Sequence, residues 1–421
     1  MKKFFIHTTG CKANQCDSYE VSGAMRTAGF TEDTLQEADV VVVNACTLTN
    51  GAERDIRRFI NFARKENGEA RIVLTGCHPQ VYPESTFGAD LVLGQDEKFQ
   101  IGGFLEKEGS FVSTAATFPL ETFTIDMLPG DKTRFFLKIQ DGCDRFCSYC
   151  VVPRARGNPR SRPAGEIVET MKALKDKGVR EVVLTGIEIS AYRDAAKGMD
   201  LKGLLKMLAG AETPERIRMS SIDPLYIDDE FIEIVAQSKK IMRSLHIPMQ
   251  SASDGVLNGM GRRYTREFMG DLLEGLHGRI PRVGIGLDVI VGFPGEDEDR
   301  FLETMSFIET ADIFYLHVFP FSARSGTKAA EMKDKVAETT KKERSRRLRE
   351  LDKRKRDSFY GRFIGEETWI IPEGKVYNGK FMRGYTDNYL PVHVPYEKRL
   401  ENCLLRVTIE GIEDGILMGR A

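Results

Sequence analysis

The chain has 421 residues, a formal net charge of −2, a hydrophobic fraction of 41% and a charged fraction of 29%. This balance excludes a disordered or collagenous chain and leaves room for about two to four domains with substantial cores. It also excludes a globally basic nucleic-acid binder, so any basic surface must be local. No stretch approaches a membrane span, and the apolar run after Met1-Lys2-Lys3 is too short for a signal peptide. A cytoplasmic protein without a membrane partner is expected.

The opening residues alternate strand and helix. Lys3–Thr8 reads as a strand, residues 17–28 as a helix, 40–44 as a buried strand, 53–67 as an amphipathic helix and 72–75 as another buried strand. Short Val/Ile/Leu runs alternating with helices imply a parallel α/β sheet. Each of these strands ends in a cysteine: Thr9-Gly10-Cys11, Asn44-Ala45-Cys46 and Thr75-Gly76-Cys77. Loops after the carboxyl ends of parallel strands converge on one edge of the sheet, so Cys11, Cys46 and Cys77 can meet there and hold a metal cluster. The bland alternative is that each is a small core residue closing a strand. Cys16 reads as a structural residue of the following helix, and His78 as a neighbour of Cys77 rather than a ligand. Seven of the eight cysteines fall within the first 150 residues, which in a reducing compartment argues for metal over disulfides.

Residues 119–131, with Pro119, Pro129 and Gly130, read as a linker. Beyond it, a strand-like stretch at 135–140 leads into Cys143-Asp144-Arg145-Phe146-Cys147-Ser148-Tyr149-Cys150, a C-x₃-C-x₂-C run. Three thiolates so spaced can hold three irons of a 4Fe–4S cube and leave the fourth iron open to a substrate or cofactor. A zinc knuckle is the alternative, but no fourth Cys or His lies nearby in the chain. Arg154, Arg156, Arg160 and Arg162 follow on a Pro/Gly loop, where they are expected to clamp an anion such as RNA phosphate, or else to be solvated.

The βα rhythm then resumes, with strands at Glu181–Thr185, 216–220, 245–249, 283–291 and 313–319. With the stretch at 135–140 these make six βα units, a partial barrel whose carboxyl-end loops carry the chemistry. Thr185, Gly186, Glu188, Ser221, Gln250, Asp288 and His317 on those loops are the candidate cofactor contacts. Residues 341–356 hold ten Lys/Arg against three Asp/Glu on a helical segment, either a solvated face or a surface that tracks nucleic acid. Beyond about residue 363, short strands at 368–371, 374–381, 390–394, 404–409 and 415–418 suggest a small all-β barrel of the kind that binds oligonucleotides. Lys375, Lys380, Arg383 and Tyr385 are its candidate RNA contacts. Cys403 reads as a core residue.

Taken together, the Cys143/Cys147/Cys150 triad with its preceding Tyr149 resembles the radical S-adenosylmethionine (SAM) signature. The whole chain resembles the radical SAM methylthiotransferases through Thr9-Gly10-Cys11-Lys12-Ala13-Asn14-Gln15, Asn44-Ala45-Cys46-Thr47, Gly76-Cys77, Arg156-Gly157, Gln250-Ser251, Arg263-Tyr264 and the segment Ile290-Val291-Gly292-Phe293-Pro294-Gly295-Glu296. The resemblance implies residues 1–118 as an auxiliary-cluster domain, 132–362 as a radical SAM domain and 363–421 as a TRAM-like RNA-binding domain. It implies two 4Fe–4S clusters, one on Cys11, Cys46 and Cys77 and one on Cys143, Cys147 and Cys150. SAM would serve both as methyl donor and as radical source, with Tyr149 beside the second cluster.

Residues 138–143, Arg160-Ser161-Arg162 and 317–322 are most similar to the MtaB-type branch. That branch implies methylthiolation at C2 of N6-threonylcarbamoyladenosine beside the tRNA anticodon. Arg156, Arg160 and Arg162 would then grip the anticodon loop. An electron donor such as flavodoxin or ferredoxin and a sulfur source would be required. Cys16 and Ala252 depart from the family pattern, where an aromatic residue and a glycine are expected. Two rivals stay open: the same chemistry on isopentenyladenosine or a ribosomal-protein aspartate, and a non-catalytic RNA-binding protein with structural zinc.

Overall fold

The computed structural model describes residues 1–113 and 133–421, so the expected linker at 119–131 lies outside the described residues. The amino-terminal sheet is parallel throughout. It comprises β1 (Lys3–Thr8), β2 (Thr31–Glu32), β3 (Val40–Ala45), β4 (Arg71–Gly76), β5 (Leu91–Leu93) and β6 (Gly109–Phe111), in the order β2-β1-β3-β4-β5-β6. Helix α1 (Lys12–Thr27) covers one face and α2 (Asn50–Glu66) the other. Alternation along β3 divides the core between them. Val40 and Val42 pack with Val21 and Met25 of α1, whereas Val41 and Val43 pack with Ile56 and Ile60 of α2. Thr49 caps α2 by accepting from the Ala52 N–H at 3.1 Å. Helix α1 starts at Lys12, earlier than the expected residue 17, with Cys11 as its N-cap. Its first turns escaped the periodicity because Asn14 and Asp17 are polar yet fully buried.

The six barrel strands expected from the sequence are present: β7 (Arg134–Lys138), β8 (Glu181–Thr185), β9 (Arg216–Met219), β10 (Ser244–Gln250), β11 (Gly284–Val291) and β12 (Tyr315–Pro320). They form two parallel triples, β9-β8-β7 and β10-β11-β12, linked by a parallel bridge between Ile217 and Ile241. The result is a partial barrel whose open edge, β7, is met by α1. There the Cys16 thiol reaches the Phe136 carbonyl at 3.4 Å. Two short helices complete the seam, α3 (Cys77–Val81) and α4 (Val152–Arg156).

The basic run at 341–356 lies within α5 (Glu338–Gly361), which rests on β12. Its inner face buries Leu348 and Leu351, and also Arg344, which pairs with Glu296 at 2.8 Å. Outward residues such as Arg346 pair with Glu343 and Glu350 along the helix.

The carboxyl-terminal residues close a five-stranded barrel in the order β13 (Glu367–Tyr377), β14 (Phe381–Tyr385), β15 (Pro391–Pro395), β17 (Ile416–Arg420), β16 (Leu405–Glu413). The strand expected at 374–381 is instead the end of β13, a turn and the start of β14. Asn378 and Gly379 both take positive φ and reverse the chain there. Cys403 is half-buried beside the Arg399 carbonyl rather than in the core. This small barrel caps the amino ends of β7–β9. Arg218 donates to the carbonyls of Thr386 and Asp387 while pairing with Glu181 at 2.9 Å, and Arg216 donates to the Trp369 and Tyr385 carbonyls.

The seam between sheet and partial barrel is a network of buried charges. Asp17 meets Lys98 at 2.7 Å, Arg156 at 2.8 Å and Lys138, and Arg162 meets Glu20 at 2.9 Å. Removing one member strands the others without water. Asp17→Ala is therefore expected to cost roughly 3–5 kcal/mol of stability, read from chemical denaturation. A loss well under about 1 kcal/mol, the range of an exposed pair, would contradict this role.

Candidate active site: two cysteine triads on one cavity

Cys11, Cys46 and Cys77 end β1, β3 and β4, adjacent parallel strands in register, and so share one edge of the sheet. The glycines before two of them make this approach possible. Gly10 has φ +98°, and a Cβ there would lie 2.4 Å from the Cys46 Cβ. Gly76 has φ +101°, and a Cβ there would lie 2.5 Å from Asn44 Oδ1. Thr9 Oγ1 accepts from the Cys46 N–H at 3.0 Å and fixes that turn. Around Cys77, Arg156 Nε and Gln95 Nε2 each donate to the sulfur at 3.2 Å.

The second triad lies in the loop after β7. Ser148 anchors it, with its N–H on the Met260 carbonyl at 3.0 Å and its hydroxyl on the Gly259 carbonyl at 2.8 Å. Arg145 bridges Glu188 and Asp223, both at 3.1 Å, and Arg262 ties Asp223 to the Tyr149 hydroxyl at 2.8 Å.

The chemistry of these sulfurs suits a multi-iron cluster. Burial, reinforced by repulsion from neighbouring thiols, pushes Cys46 and Cys150 up to about 12 and Cys143 to about 11. Burial also raises Cys77, although Arg156 opposes it. Thiolates therefore require a cationic core here. A single zinc would hold its sulfurs at about 2.3 Å, and thus within about 4.6 Å of one another. Neither triad is that compact; among the described residues only His246, Asp288 and His317 bring three ligand atoms within 4.8 Å. Sulfurs too far apart to share one zinc leave a multi-iron cluster as the group that each triad could hold.

Members of both triads line a single cavity of about 1190 Å³: Cys11 and Cys46 from one, and Cys150, with Tyr149 before it, from the other, while Cys77, Cys143 and Cys147 are not among its lining residues. Of the expected cofactor contacts, Thr185, Gly186, Ser221, Gln250, Asp288 and His317 also line it. Glu188 does not; it stands behind the lining and holds Arg145. Asp288 accepts from His246 at 2.8 Å and from His317 at 3.3 Å. Burial opposes its ionisation, but these hydrogen bonds prevail and hold the carboxyl at about 2. Lys12, Arg218 and His246 also line the cavity and were not singled out from the sequence. Lys12 follows Cys11 directly, which was the one available signal; His246 and Arg218 carried none beyond their strands.

The arginine loop is corrected by the structure. Arg156 and Arg162 are buried and engaged by Asp17, Asp141 and Glu20, so they hold the seam and are not presented to phosphate. Arg160 is half-buried with Asp141 at 3.9 Å. Lys375 and Lys380 are exposed on the β13–β14 hairpin, and Arg383 and Lys375 lie over the Tyr377 ring at 4.2 and 5.2 Å. Cys16 is buried against Phe136, and His78 is buried against Phe87 at 4.8 Å.

Residues 137–308 match the Radical SAM superfamily, and residues 3–94 match the uncharacterized protein family UPF0004. The threonylcarbamoyladenosine tRNA methylthiotransferase MtaB of Bacillus subtilis (strain 168) is 38% identical over 92% of this chain and 89% of its own length. A tRNA-2-methylthio-N(6)-dimethylallyladenosine synthase of Thermotoga petrophila is 34% identical over 99% of this chain and 96% of its own. The fold is shared with the radical SAM methyltransferase TsrM of Kitasatospora setae, at a TM-score of 0.57 and 14% identity, covering 78% of this chain and 77% of that one. With its cysteine triads, its partial barrel and relatives matched along nearly its full length, the chain belongs to the radical SAM methylthiotransferases, of the MtaB type.

Proposed function

We propose that this enzyme methylthiolates C2 of N6-threonylcarbamoyladenosine beside the anticodon of tRNA, using one SAM as methyl donor and another as radical source. The observation that carries the reading is that Cys11 and Cys46 of one triad and Cys150 of the other line one cavity. Cys143, Cys147 and Cys150 would hold one 4Fe–4S cluster and Cys11, Cys46 and Cys77 a second. When bound, the clusters and SAM supply the radical that takes hydrogen from C2 and the methylthio group that replaces it.

The chain's own residues do the rest. Arg262 and Tyr149, with Arg145 and Asp223, hold the radical-cluster loop in place, while Thr185, Gly186, Ser221 and Gln250 offer polar contacts to SAM. Arg156 and Gln95 orient Cys77 and stabilise its thiolate. Lys375, Lys380, Arg383 and Tyr377 suit contacts to RNA backbone and bases. Electrons would come from a donor such as flavodoxin or ferredoxin, and sulfur from a separate source, in the cytoplasm. The polar lining of Lys12, Arg218, His246, Asp288 and His317 favours a polar adenosine substituent over an apolar dimethylallyl group.

Anaerobically reconstituted protein is expected to contain about eight irons, falling to about four in the Cys143/Cys147/Cys150→Ala variant and equally in the Cys11/Cys46/Cys77→Ala variant. Four irons in the wild type would remove the second cluster from the reading. Arg156→Lys keeps the charge but loses the donor to Cys77. It is expected to lower the reduction potential of the cluster on Cys11, Cys46 and Cys77 while leaving the other unchanged, as read by redox-titrated electron paramagnetic resonance. Nucleosides from a deletion strain should lack only the methylthio form of N6-threonylcarbamoyladenosine. Loss of methylthio-isopentenyladenosine instead would replace the substrate.

A further inference from the structure

Five Lys and Arg side chains line the cavity; three are met by carboxylates, and Arg383 donates to His393 at 3.1 Å. Arg218 has Glu181 at 2.9 Å, Arg356 has Asp352 at 3.0 Å and Arg324 has Glu53. Asp288 is taken by two histidines. Lys12 differs. Among the described residues its ammonium has no ion pair and no hydrogen bond, and its one recorded contact is the Phe136 ring, 5.6 Å away. Its side chain is exposed to the cavity, whose lining it shares with Cys11, Arg218 and Asp288. An ammonium so placed gains when an anion arrives and gains little from a neutral apolar group.

We infer that Lys12 is a specificity-determining residue whose ammonium pairs with the carboxylate of the amino-acid substituent on the target adenosine. The inference rests on the threonylcarbamoyl reading above. Geometry favours it in two ways. Lys12 is the first helical residue of α1, directly after the cluster ligand Cys11, so the anchor and the sulfur-bearing triad belong to one rigid turn. In adenine, N6 and C2 flank N1 on one edge of the ring, so fixing the N6 substituent also fixes the direction in which C2 points. Phe136, beneath the ammonium, gives the stem of Lys12 an apolar support and limits its rotamers.

The test uses full-length reconstituted enzyme and two tRNAs, one carrying N6-threonylcarbamoyladenosine and one carrying the methyl ester of the same nucleoside, whose charge is gone. Wild type is expected to favour the free acid. Lys12→Met should lower kcat/KM for the acid about 10- to 100-fold, mainly through KM, as loss of one charge-assisted hydrogen bond implies. It should leave the ester nearly unaffected, so that discrimination collapses, and Lys12→Arg should restore much of it. Iron content of each variant establishes that it has folded and loaded. A Lys12→Met enzyme that still discriminates acid from ester as wild type does would overturn the inference. A wild type that ignores both tRNAs and modifies an isopentenyladenosine tRNA would overturn the substrate reading itself, a result distinct from any property of the variant.

Discussion

One buried carboxylate holds the two cysteine-bearing units together. Asp17, on α1, is enclosed completely and is reached by Lys98 from its own unit and by Lys138 and Arg156 from the barrel. Around it, five cations (Lys98, Lys138, Arg156, Arg160, Arg162) face three carboxylates (Asp17, Glu20, Asp141), which leaves five minus three, two net positive charges, in the seam. That surplus sits beside Cys77, to which Arg156 donates. A buried ion network is a poor source of stability compared with apolar packing of the same volume. Here it does what apolar packing cannot: it fixes the register between two units and favours the thiolate form of a sulfur that burial alone would keep protonated.

The same helix solves a geometric problem. A partial barrel of six strands has an open side, and an open side floods a radical site with water. Helix α1 lies along β7 and closes that side, placing Cys16 on the Phe136 carbonyl and Lys12 over the Phe136 ring. At the amino ends of the strands the β13–β17 barrel supplies the floor, through carbonyls of Tyr385, Thr386 and Asp387 held by Arg216 and Arg218. The cavity is thus walled by three parts of the chain, none of which encloses it alone.

What could be read from the sequence follows from this arrangement. The valine run of β3, the strand-terminal cysteines and the βα rhythm obey local periodicity, and each lies where expected. Arg156 and Arg162 do not. On a Pro/Gly loop rich in charge they read as solvent-facing, because nothing local reveals that Asp17 and Glu20, more than a hundred residues away, are buried opposite them. The late start assigned to α1 has the same cause: Asn14 and Asp17 face inward as polar residues and erase the apolar stripe. Lys12 was passed over because its environment is built by Arg134, Arg218 and Phe136, distant in the chain. Local pattern reports solvent exposure well only where burial is apolar.

The walls also constrain how a nucleic acid could use the site. With the floor capped and the side closed, access is from the carboxyl ends of the strands, where both cysteine triads lie. The rim there carries Leu48 and Phe319, large apolar side chains that line the cavity and remain more than 40% exposed. Exposed apolar groups at the mouth of a polar cavity suit a flat ring passing from a stack into a pocket. They offer it contact at the stage when its neighbours have been lost and its polar edge is not yet paired. A base in a helix would have to give up pairing as well as stacking to make that passage. A base in a loop gives up stacking alone, so the anticodon-loop target proposed above asks less of this entrance than a duplex would.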